Sequence, residues 1–215
     1  MAKRDPDFKK ALLGSDVLLP DGESVVIGAK VLGAGDVHKI AGFDLFYHLM
    51  QRLESNSGSC YFLGASDQTL LKIQNRIKLE FPNVRVGVFS PPFKPKFSDE
   101  DSELMCHKVN SFMPDVLFVG MTAPKQEKWV HEHHQKIKAN VICSIGAVFD
   151  FYAGTTHRPP LWMINMRLEW LGRLILEPKR MWRRYFLSTP VFLIDICKYR
   201  LGLFQSKRNK SPKTN

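Results

Sequence analysis

Short apolar runs alternate with longer amphipathic stretches from residue 60 onward. Four near-continuous apolar runs predict buried strands: CYFLGA (60–65), VRVGVFS (84–90), DVLFVG (115–120) and VICSIG (141–146). The stretches between them have the spacing of helices. Strands that are apolar on both faces and separated by helices are typical of a parallel sheet that is covered on both sides. The pattern predicts an α/β fold with a doubly wound, mostly parallel, Rossmann-like sheet.

The pattern before residue 60 is less regular. SDVLLPDG (15–22) predicts another strand that ends in a turn, and helices are expected over Ser24–Leu32 and about Phe43–Glu54. Phe8–Gly14 has the pattern of the back half of a helix. A strand normally precedes such a helix, and the sequence contains none there.

The C-terminal part predicts a basic amphipathic helical appendage. Apolar residues keep helical spacing on both sides of Pro178, and Arg173, Arg180 and Arg183 fall at intervals that place them on one face. A basic face beside Trp and Tyr is typical of a helix lying on an anionic membrane. The alternative is a solvated basic helix packed on the domain. We expect an α/β domain over 1–160, the appendage over 161–205 and a disordered basic tail over 206–215.

The charge is concentrated in the same region. The chain of 215 residues has a formal net charge of +10, and residues 167–215 hold 12 Lys and Arg against 3 Asp and Glu, a net charge of +9. The most apolar tail stretch, 185–204, is interrupted by Pro190, Asp195 and Lys198, so no transmembrane span is predicted. We therefore expect a cytoplasmic protein that is peripheral on the inner face of the plasma membrane. The four widely spaced cysteines predict reduced thiols.

Candidate binding residues follow the predicted strands, because ligands of open α/β sheets bind at the carboxyl ends of the strands. Glycine at a strand end lets a ligand approach the backbone, and Ser66 or Asp67 can cap the next helix. Any α/β protein needs glycines and caps in these places, so the structural explanation is equally open. The candidates at the ends of the 15–22, 60–65 and 115–120 runs are Asp21, Gly22, Gly64 and Thr122.

Two further segments add polar candidates. Pro124 marks the first turn of a helix after the 115–120 run, which places Gln126 at the mouth of the crevice. Alternatively, Thr122 caps that helix and Gln126 is solvated. The segment 144–160 has no helical spacing and contains Asp150 and Arg158. Asp150 either binds a sugar or ribose hydroxyl or anchors a loop.

Several common sites lack their sequence signatures. The chain contains no G-x-G-x-x-G after its first strand, no G-x-x-x-x-G-K-[ST] and no G-x-S-x-G, which excludes the usual NAD, P-loop and hydrolase motifs. His131, His133 and His134 have no partner pattern for a metal. The D-x-D triplets at 5–7 and 99–101 stand where helices begin, so helix capping explains them better than metal binding.

Taken together, the motifs closely resemble the WecG/TagA/CpsF glycosyltransferases, glycosyltransferase family 26. The segments that carry the resemblance are DVLLPDG (16–22), IAGFDLF (40–46), YFLGA (61–65), PDVLFVGMTAPKQEKW (114–129), IGAVFDFYAG (145–154), HRPP (157–160) and LEWLGRLILEPKRMWRRY (168–185). They stand in family order over nearly the whole chain. Several long motifs at consistent spacing are more specific than any single motif.

The resemblance implies an inverting transfer of an N-acetylated hexosamine, such as N-acetylmannosamine or its uronic acid. The implied donor is a UDP-sugar and the implied acceptor is a sugar on undecaprenyl diphosphate, in the synthesis of teichoic acid, capsule, exopolysaccharide or common antigen. It implies no cofactor and no required metal. It also implies a membrane-attached appendage whose arginines reach the diphosphate.

The resemblance implies that Asp44 is the general base, because inversion needs a carboxylate to take the proton of the acceptor hydroxyl. The alternative is a plain acidic residue at a helix N-terminus. It further implies that Gln126 and Asp150 contact donor or acceptor. Thr122 replaces a glycine common in the family. The family's early strand, with a Thr and an Asn facing the site, has no counterpart, so we expect a misassigned start or the loss of that strand.

Two other functions remain open at this point. A nucleic-acid-binding protein with a basic arm would use the cationic tail, although the chain contains no DNA- or RNA-binding motif. A catalytically impaired scaffold of a glycan-assembly complex would explain the missing strand. The sequence leaves the formation of a homo-oligomer open, and a nucleic-acid partner is not expected.

Overall fold

The computed structural model describes residues 2–156, 159, 160, 162, 163, 166, 168–176, 178–183, 186 and 188–202. Its strands are β1 (Ser59–Gly64), β2 (Arg85–Phe89), β3 (Val116–Gly120) and β4 (Val141–Ser144). The helices before β4 are α1 (Pro6–Leu13), α2 (Glu23–Val31), α3 (Gly42–Ser55), α4 (Asp67–Glu80), α5 (Asp99–Phe112) and α6 (Lys125–His133). After β4 come α7 (Val148–Tyr152), α8 (Glu169–Leu176), α9 (Pro178–Arg183) and α10 (Thr189–Arg200).

The chain divides into two compact units. The first consists of Met1–Leu19 and Ala41–His157, and the second consists of Pro20–Ile40 and Arg158–Asn215. All four strands lie in the first unit. The second unit contains α2 together with α8, α9 and α10. The separation of a 1–160 domain from an appendage at 161–205 stays a prediction.

The sheet confirms the predicted fold class. Its strands are parallel in the order β2-β1-β3-β4, and every residue of the central strands β1 and β3 is buried. From β1 the chain passes to β2 on one side and then crosses to β3 on the other. The connection that leaves β1 runs to β2 on one side, and the connection that leaves β3 runs to β4 on the other. These two connections diverge between β1 and β3, where open α/β sheets form their ligand crevice at the carboxyl ends of the strands.

Alternating side chains of the central strands pack into two core layers, one on each face of the sheet. Phe62 and Phe118 point to the layer covered by α3, α4 and α7, whereas Leu63 and Leu117 point to the layer covered by α5 and α6. Phe46 of α3 is fully buried, and its ring centroid lies 5.2 Å from that of Phe118. These contacts fix α3 on the sheet, so they also fix the start of that helix.

The strand predicted at 15–22 is wrong. In the part of the chain that the structure describes, this segment forms no strand, and Val17 and Leu18 are 70% and 66% exposed. An apolar run becomes a strand only when a neighbour satisfies its backbone groups. The four described strands pair with one another, and this run forms no hydrogen-bonded pairing with any of them.

Helix caps account for both D-x-D triplets. Asp5 is the N-cap of α1 and accepts a hydrogen bond from the Phe8 amide at 3.0 Å, so α1 is a complete short helix and not the back half of a longer one. Lys128 of α6 pairs with Asp5 at 2.7 Å and is the main cause that lowers the pKa of that carboxyl. Asp101 forms a capping box with Ser98 at the start of α5. The capping explanation is confirmed.

The cysteines of the core are free thiols. Cys60, Cys106 and Cys143 are buried, Cys197 is exposed, and none of them forms a disulfide. Burial raises the pKa of the Cys143 thiol to about 11, which keeps it protonated and unreactive at neutral pH.

The second unit contains a close helix contact. A Cβ atom on Gly28 of α2 would lie 2.5 Å from Cδ1 of Ile196 in α10, so a larger residue at this position would require the Ile196 side chain to shift. Among the described residues, no helix combines the length and apolar character that crossing a bilayer requires. The predicted disordered tail at 206–215 lies outside the described residues.

Candidate active site

The carboxyl ends of β1 and β3 meet at two glycines. Gly64 and Gly120 are paired in register, and the Ala65 amide donates to the Gly120 carbonyl oxygen at 3.0 Å. Gly64 has φ +126°, and a Cβ atom there would lie 2.2 Å from the Gly120 oxygen. The neighbouring strand therefore requires glycine at this position, independently of any ligand.

Gln126 is a buried brace just beyond β3. Only 5% of it is exposed; its Oε1 accepts from the Met121 amide at 3.1 Å and its Nε2 donates to Oε1 of Glu127 at 2.8 Å. A Cβ atom on Gly146, after β4, would lie 3.2 Å from Oε1 of Gln126. The alternative of a solvated Gln126 is wrong, because its side chain is buried and its amide hydrogen-bonds to Met121, just after β3, and to Glu127 of α6.

The start of α6 also differs from the alternative in which Thr122 caps this helix. The structure shows no side-chain cap on α6; the helix begins after Pro124, and the exposed Thr122 contributes its carbonyl oxygen to the Lys125 amide at 3.0 Å. The Thr122 hydroxyl is therefore not committed to capping this helix.

We expect Gln126→Leu to lower the free energy of unfolding by about 1–3 kcal/mol, because the part-buried Met121 amide would lose the side-chain oxygen to which it donates. Urea unfolding measures the change, with Gln135→Leu on an exposed glutamine as the control. If the variant were as stable as the parent, Gln126 would not be a brace, and any loss of turnover would come from a ligand contact.

Asp44 lies in the first turn of α3 and is exposed. Phe46, two residues later, points into the core, and two residues along a helix correspond to about 200° of rotation. The carboxylate therefore stands on the side of α3 that faces away from the core. A Cβ atom on Gly42 would lie 3.4 Å from Cγ2 of Val148, so the start of α3 packs beside the start of α7.

Asp150 belongs to α7, a helix that the sequence pattern did not predict. The prediction of no helical spacing at 144–160 is wrong because Val148, Phe149 and Tyr152 are all buried on one side of this short helix. Oδ1 of Asp150 accepts from the Thr155 hydroxyl at 3.3 Å, and its carbonyl oxygen accepts from the same hydroxyl at 3.1 Å. Asp150 anchors the following loop, as one of the two alternatives predicts.

One edge of the first unit thus brings several predicted residues together. The start of α3 with Asp44 packs on α7, which contains Asp150; α7 follows Gly146, and Gly146 lies against Gln126. Gly64 lies at the same edge, at the carboxyl end of β1. No group of three His, Cys, Asp or Glu side chains suited to hold a metal occurs among the described residues.

The other predicted residues belong to the second unit. Gly22 is the N-cap of α2, and a Cβ atom there would meet only ordinary contacts, so its backbone does not require glycine. Asp21 precedes it and is exposed. Arg173 lies in α8 and Arg180 and Arg183 lie in α9, but their side chains, and the whole of Arg158, lie outside the described part of the chain.

Two neighbours of Gln126 have contacts that the sequence does not predict. Oε2 of Glu127 is buried and has no hydrogen-bond partner among the described residues. The Lys125 ammonium donates to the Lys94 carbonyl oxygen at 2.6 Å and lies 3.6 Å from the centroid of the Phe97 ring. Burial lowers the pKa of Lys125. Their only sequence signal was their place in the first turn after a strand, which is also typical of solvated residues.

Comparison with known proteins adds the decisive observation. The model of the Glycosyl transferase WecG/TagA/CpsF family matches residues 1–206. The chain belongs to this family. The resemblance that the motifs indicate is thereby confirmed, and the chain is a glycosyltransferase with a Rossmann-like sheet.

Curated relatives within the WecG/TagA/CpsF family have named activities. An N-acetylglucosaminyldiphosphoundecaprenol N-acetyl-beta-D-mannosaminyltransferase of Bacillus subtilis (strain 168) is 30% identical over 97% of this chain and 76% of the relative. A protein of the same name from Bacillus spizizenii is 30% identical over 92% of this chain and 74% of the relative. The Staphylococcus aureus (strain NCTC 8325) protein of that name is 26% identical over 88% and 72%.

Proposed function

We propose that this glycosyltransferase moves N-acetylmannosamine, or its uronic acid, from a UDP-sugar to a sugar on undecaprenyl diphosphate, with inversion. The names of the relatives support this acceptor and this class of sugar. The observation that carries the proposal is the exposed carboxylate of Asp44 in the first turn of α3, whose start packs beside the start of α7. The product is an intermediate of a cell-envelope polysaccharide.

Asp44 acts as general base in the proposed reaction. Its carboxylate takes the proton of the acceptor hydroxyl while the hydroxyl oxygen forms a bond to the anomeric carbon. The bond from that carbon to the diphosphate oxygen breaks on the opposite face, and the electron pair leaves with UDP. Attack from the opposite face inverts the anomeric configuration.

The leaving diphosphate gains negative charge, which must be stabilised in the transition state. We assign this role to arginines, because a guanidinium forms paired hydrogen bonds to phosphate oxygens. The candidates are Arg158, Arg173, Arg180 and Arg183. With these cations in place the reaction requires neither a metal nor a cofactor.

Acceptor-dependent release of UDP tests the proposed reaction. Purified protein, UDP-N-acetylmannosamine and a short-chain N-acetylglucosaminyl-diphospho-lipid should release UDP in a coupled assay, and excess EDTA should leave the rate unchanged. The same mixture without the lipid is the control. Release that does not depend on the acceptor would contradict transfer, and loss of activity in EDTA would contradict the metal-free mechanism.

We expect Arg173→Ala and Arg180→Ala to lower turnover by about tenfold or more, since removing one charge-stabilising donor commonly costs about 10²-fold. Thermal unfolding should change little. Binding to vesicles that contain anionic lipid should weaken by a few tenths to about 1 kcal/mol for each arginine lost near the surface. Unchanged turnover and vesicle binding would show that these arginines are only solvated. Retention on duplex DNA but not on vesicles would contradict the membrane partner.

A further inference from the structure

The loop between β2 and α5, residues 90–98, is fixed at both ends and in the middle. Next to β2, the Ser90 hydroxyl donates to the Ala65 carbonyl oxygen at 2.8 Å. In the middle, the Lys94 carbonyl oxygen accepts from the Lys125 ammonium, and the Lys94 ammonium pairs with Asp101 at 2.8 Å. At its end, Phe97 packs on the core layer under α5 and α6. Prolines at 91, 92 and 95 restrict the backbone further.

These anchors place the loop across the crevice. The loop starts at β2, an edge strand of the described sheet, touches Ala65 directly after β1, and reaches Lys125 in the first turn after β3. It therefore crosses the carboxyl end of β1, at the edge where the connections that leave β1 and β3 diverge. Lys125 is the sequence neighbour of Gln126, so the middle of the loop, at Lys94, lies next to the candidate active site.

Phe93 stands in the middle of this fixed loop and is 103% exposed, as open to solvent as in an extended peptide. Its neighbours Pro92 and Lys94 are exposed as well. A single exposed apolar side chain is common on mobile surfaces. Here the backbone is held before Phe93 by the hydrogen bond of Ser90 and after it by the contacts of Lys94, so Phe93 lies on a fixed segment at the carboxyl end of the sheet.

We propose that Phe93 is a binding residue of the transferase, on which the apolar face of a pyranose ring stacks. The face of an aromatic ring carries partial negative charge, which attracts the C–H groups on one face of a sugar. A sugar that enters the crevice from solvent passes beneath or beside this loop. Donor and acceptor both carry such a ring, and this inference rests on the proposed function. Lys125 acts as the positioning residue that holds the loop.

Kinetics of single variants test the inference. Phe93→Ala should raise the KM of one sugar substrate about threefold to tenfold, in line with the strength of aromatic contacts. The substrate whose KM rises identifies which ring stacks. Phe93→Tyr should behave as the parent, and Lys125→Met should reproduce part of the effect. Leu79→Ala is the matched control, because Leu79 is 85% exposed in the last turn of α4, which returns to the opposite edge of the sheet.

The affinity for UDP alone separates a sugar contact from a nucleotide contact. The UDP affinity should be unchanged in Phe93→Ala. A loss of UDP affinity as large as the change in KM would show that the ring stacks on uracil and would overturn the inference. Unchanged KM values for both substrates would overturn it too, and so would a loss confined to vesicle binding.

If the parent protein transfers no sugar, the proposed function fails and sugar binding still decides the inference. Saturation-transfer NMR with N-acetylglucosamine and N-acetylmannosamine should show enhanced ring protons with the parent and weaker enhancement with Phe93→Ala. No enhancement with the parent, or equal enhancement with both proteins, would reject the stacking role.

Discussion

Asp44→Asn is expected to lower turnover by about 10²–10⁴-fold, the usual contribution of a general base. Asparagine keeps the size of the side chain and cannot take the proton of the acceptor hydroxyl. The fold should be preserved because the side chain is exposed at the start of α3, away from Phe46 and the core. Steady-state rates of UDP release measure the effect, and UDP-sugar affinity should change little.

Asp7→Asn is the matched control for this variant. Asp7 is an exposed aspartate in the first turn of α1, so its replacement makes the same chemical change at another helix start. Its turnover should equal that of the parent. An Asp44→Asn protein with near-parental turnover would remove Asp44 from the mechanism and leave it as an acidic residue that favours the helix N-terminus.

Gly64→Ala is expected to lower the free energy of unfolding by about 3–5 kcal/mol, which combines backbone strain and overpacking. The φ angle of +126° disfavours any side chain, and the added Cβ atom would lie 2.2 Å from the Gly120 carbonyl oxygen. Neither strand end can move without breaking the hydrogen bond from the Ala65 amide to that oxygen. Chemical denaturation measures the loss.

Gly154→Ala separates the two causes. Gly154 has φ +67°, and a Cβ atom there would meet nothing within 4 Å, so only the backbone strain applies. The free energy of unfolding of Gly154→Ala should fall by only about 1 kcal/mol. A Gly64→Ala protein as stable as Gly154→Ala would mean that the close approach of the two strand ends does not require glycine. The prediction that Gly64 contacts a ligand would then explain the glycine better.

The sheet was predictable because each of its strands has a nearly continuous apolar sequence, which is a local signal. The run at 15–22 has the same signal and forms no strand, since pairing depends on neighbours that are distant in sequence. Helix α7 was missed because five residues are too few to show a helical period. Both failures concern information that a local pattern does not contain.

The candidate site was predictable to a similar extent. Motif matches identified Asp44, Gln126 and Asp150, and the structure places them on elements that adjoin one another. The burial of Gln126 was not predictable, because its acceptor and donor partners depend on how the β3 end and α6 fold. The need for glycine at 64 follows from its register with Gly120, which no feature of the local sequence reveals.

Mass spectrometry of the lipid acceptor tests the proposed transfer most directly. After incubation with UDP-N-acetylmannosamine, the parent protein should increase the mass of the N-acetylglucosaminyl-diphospho-lipid by one N-acetylhexosamine residue, and Asp44→Asn should give almost no product in the same time. An acceptor of unchanged mass after prolonged incubation with folded parent protein would contradict the proposed function. A full yield of product with Asp44→Asn at the parental rate would contradict the assignment of the base.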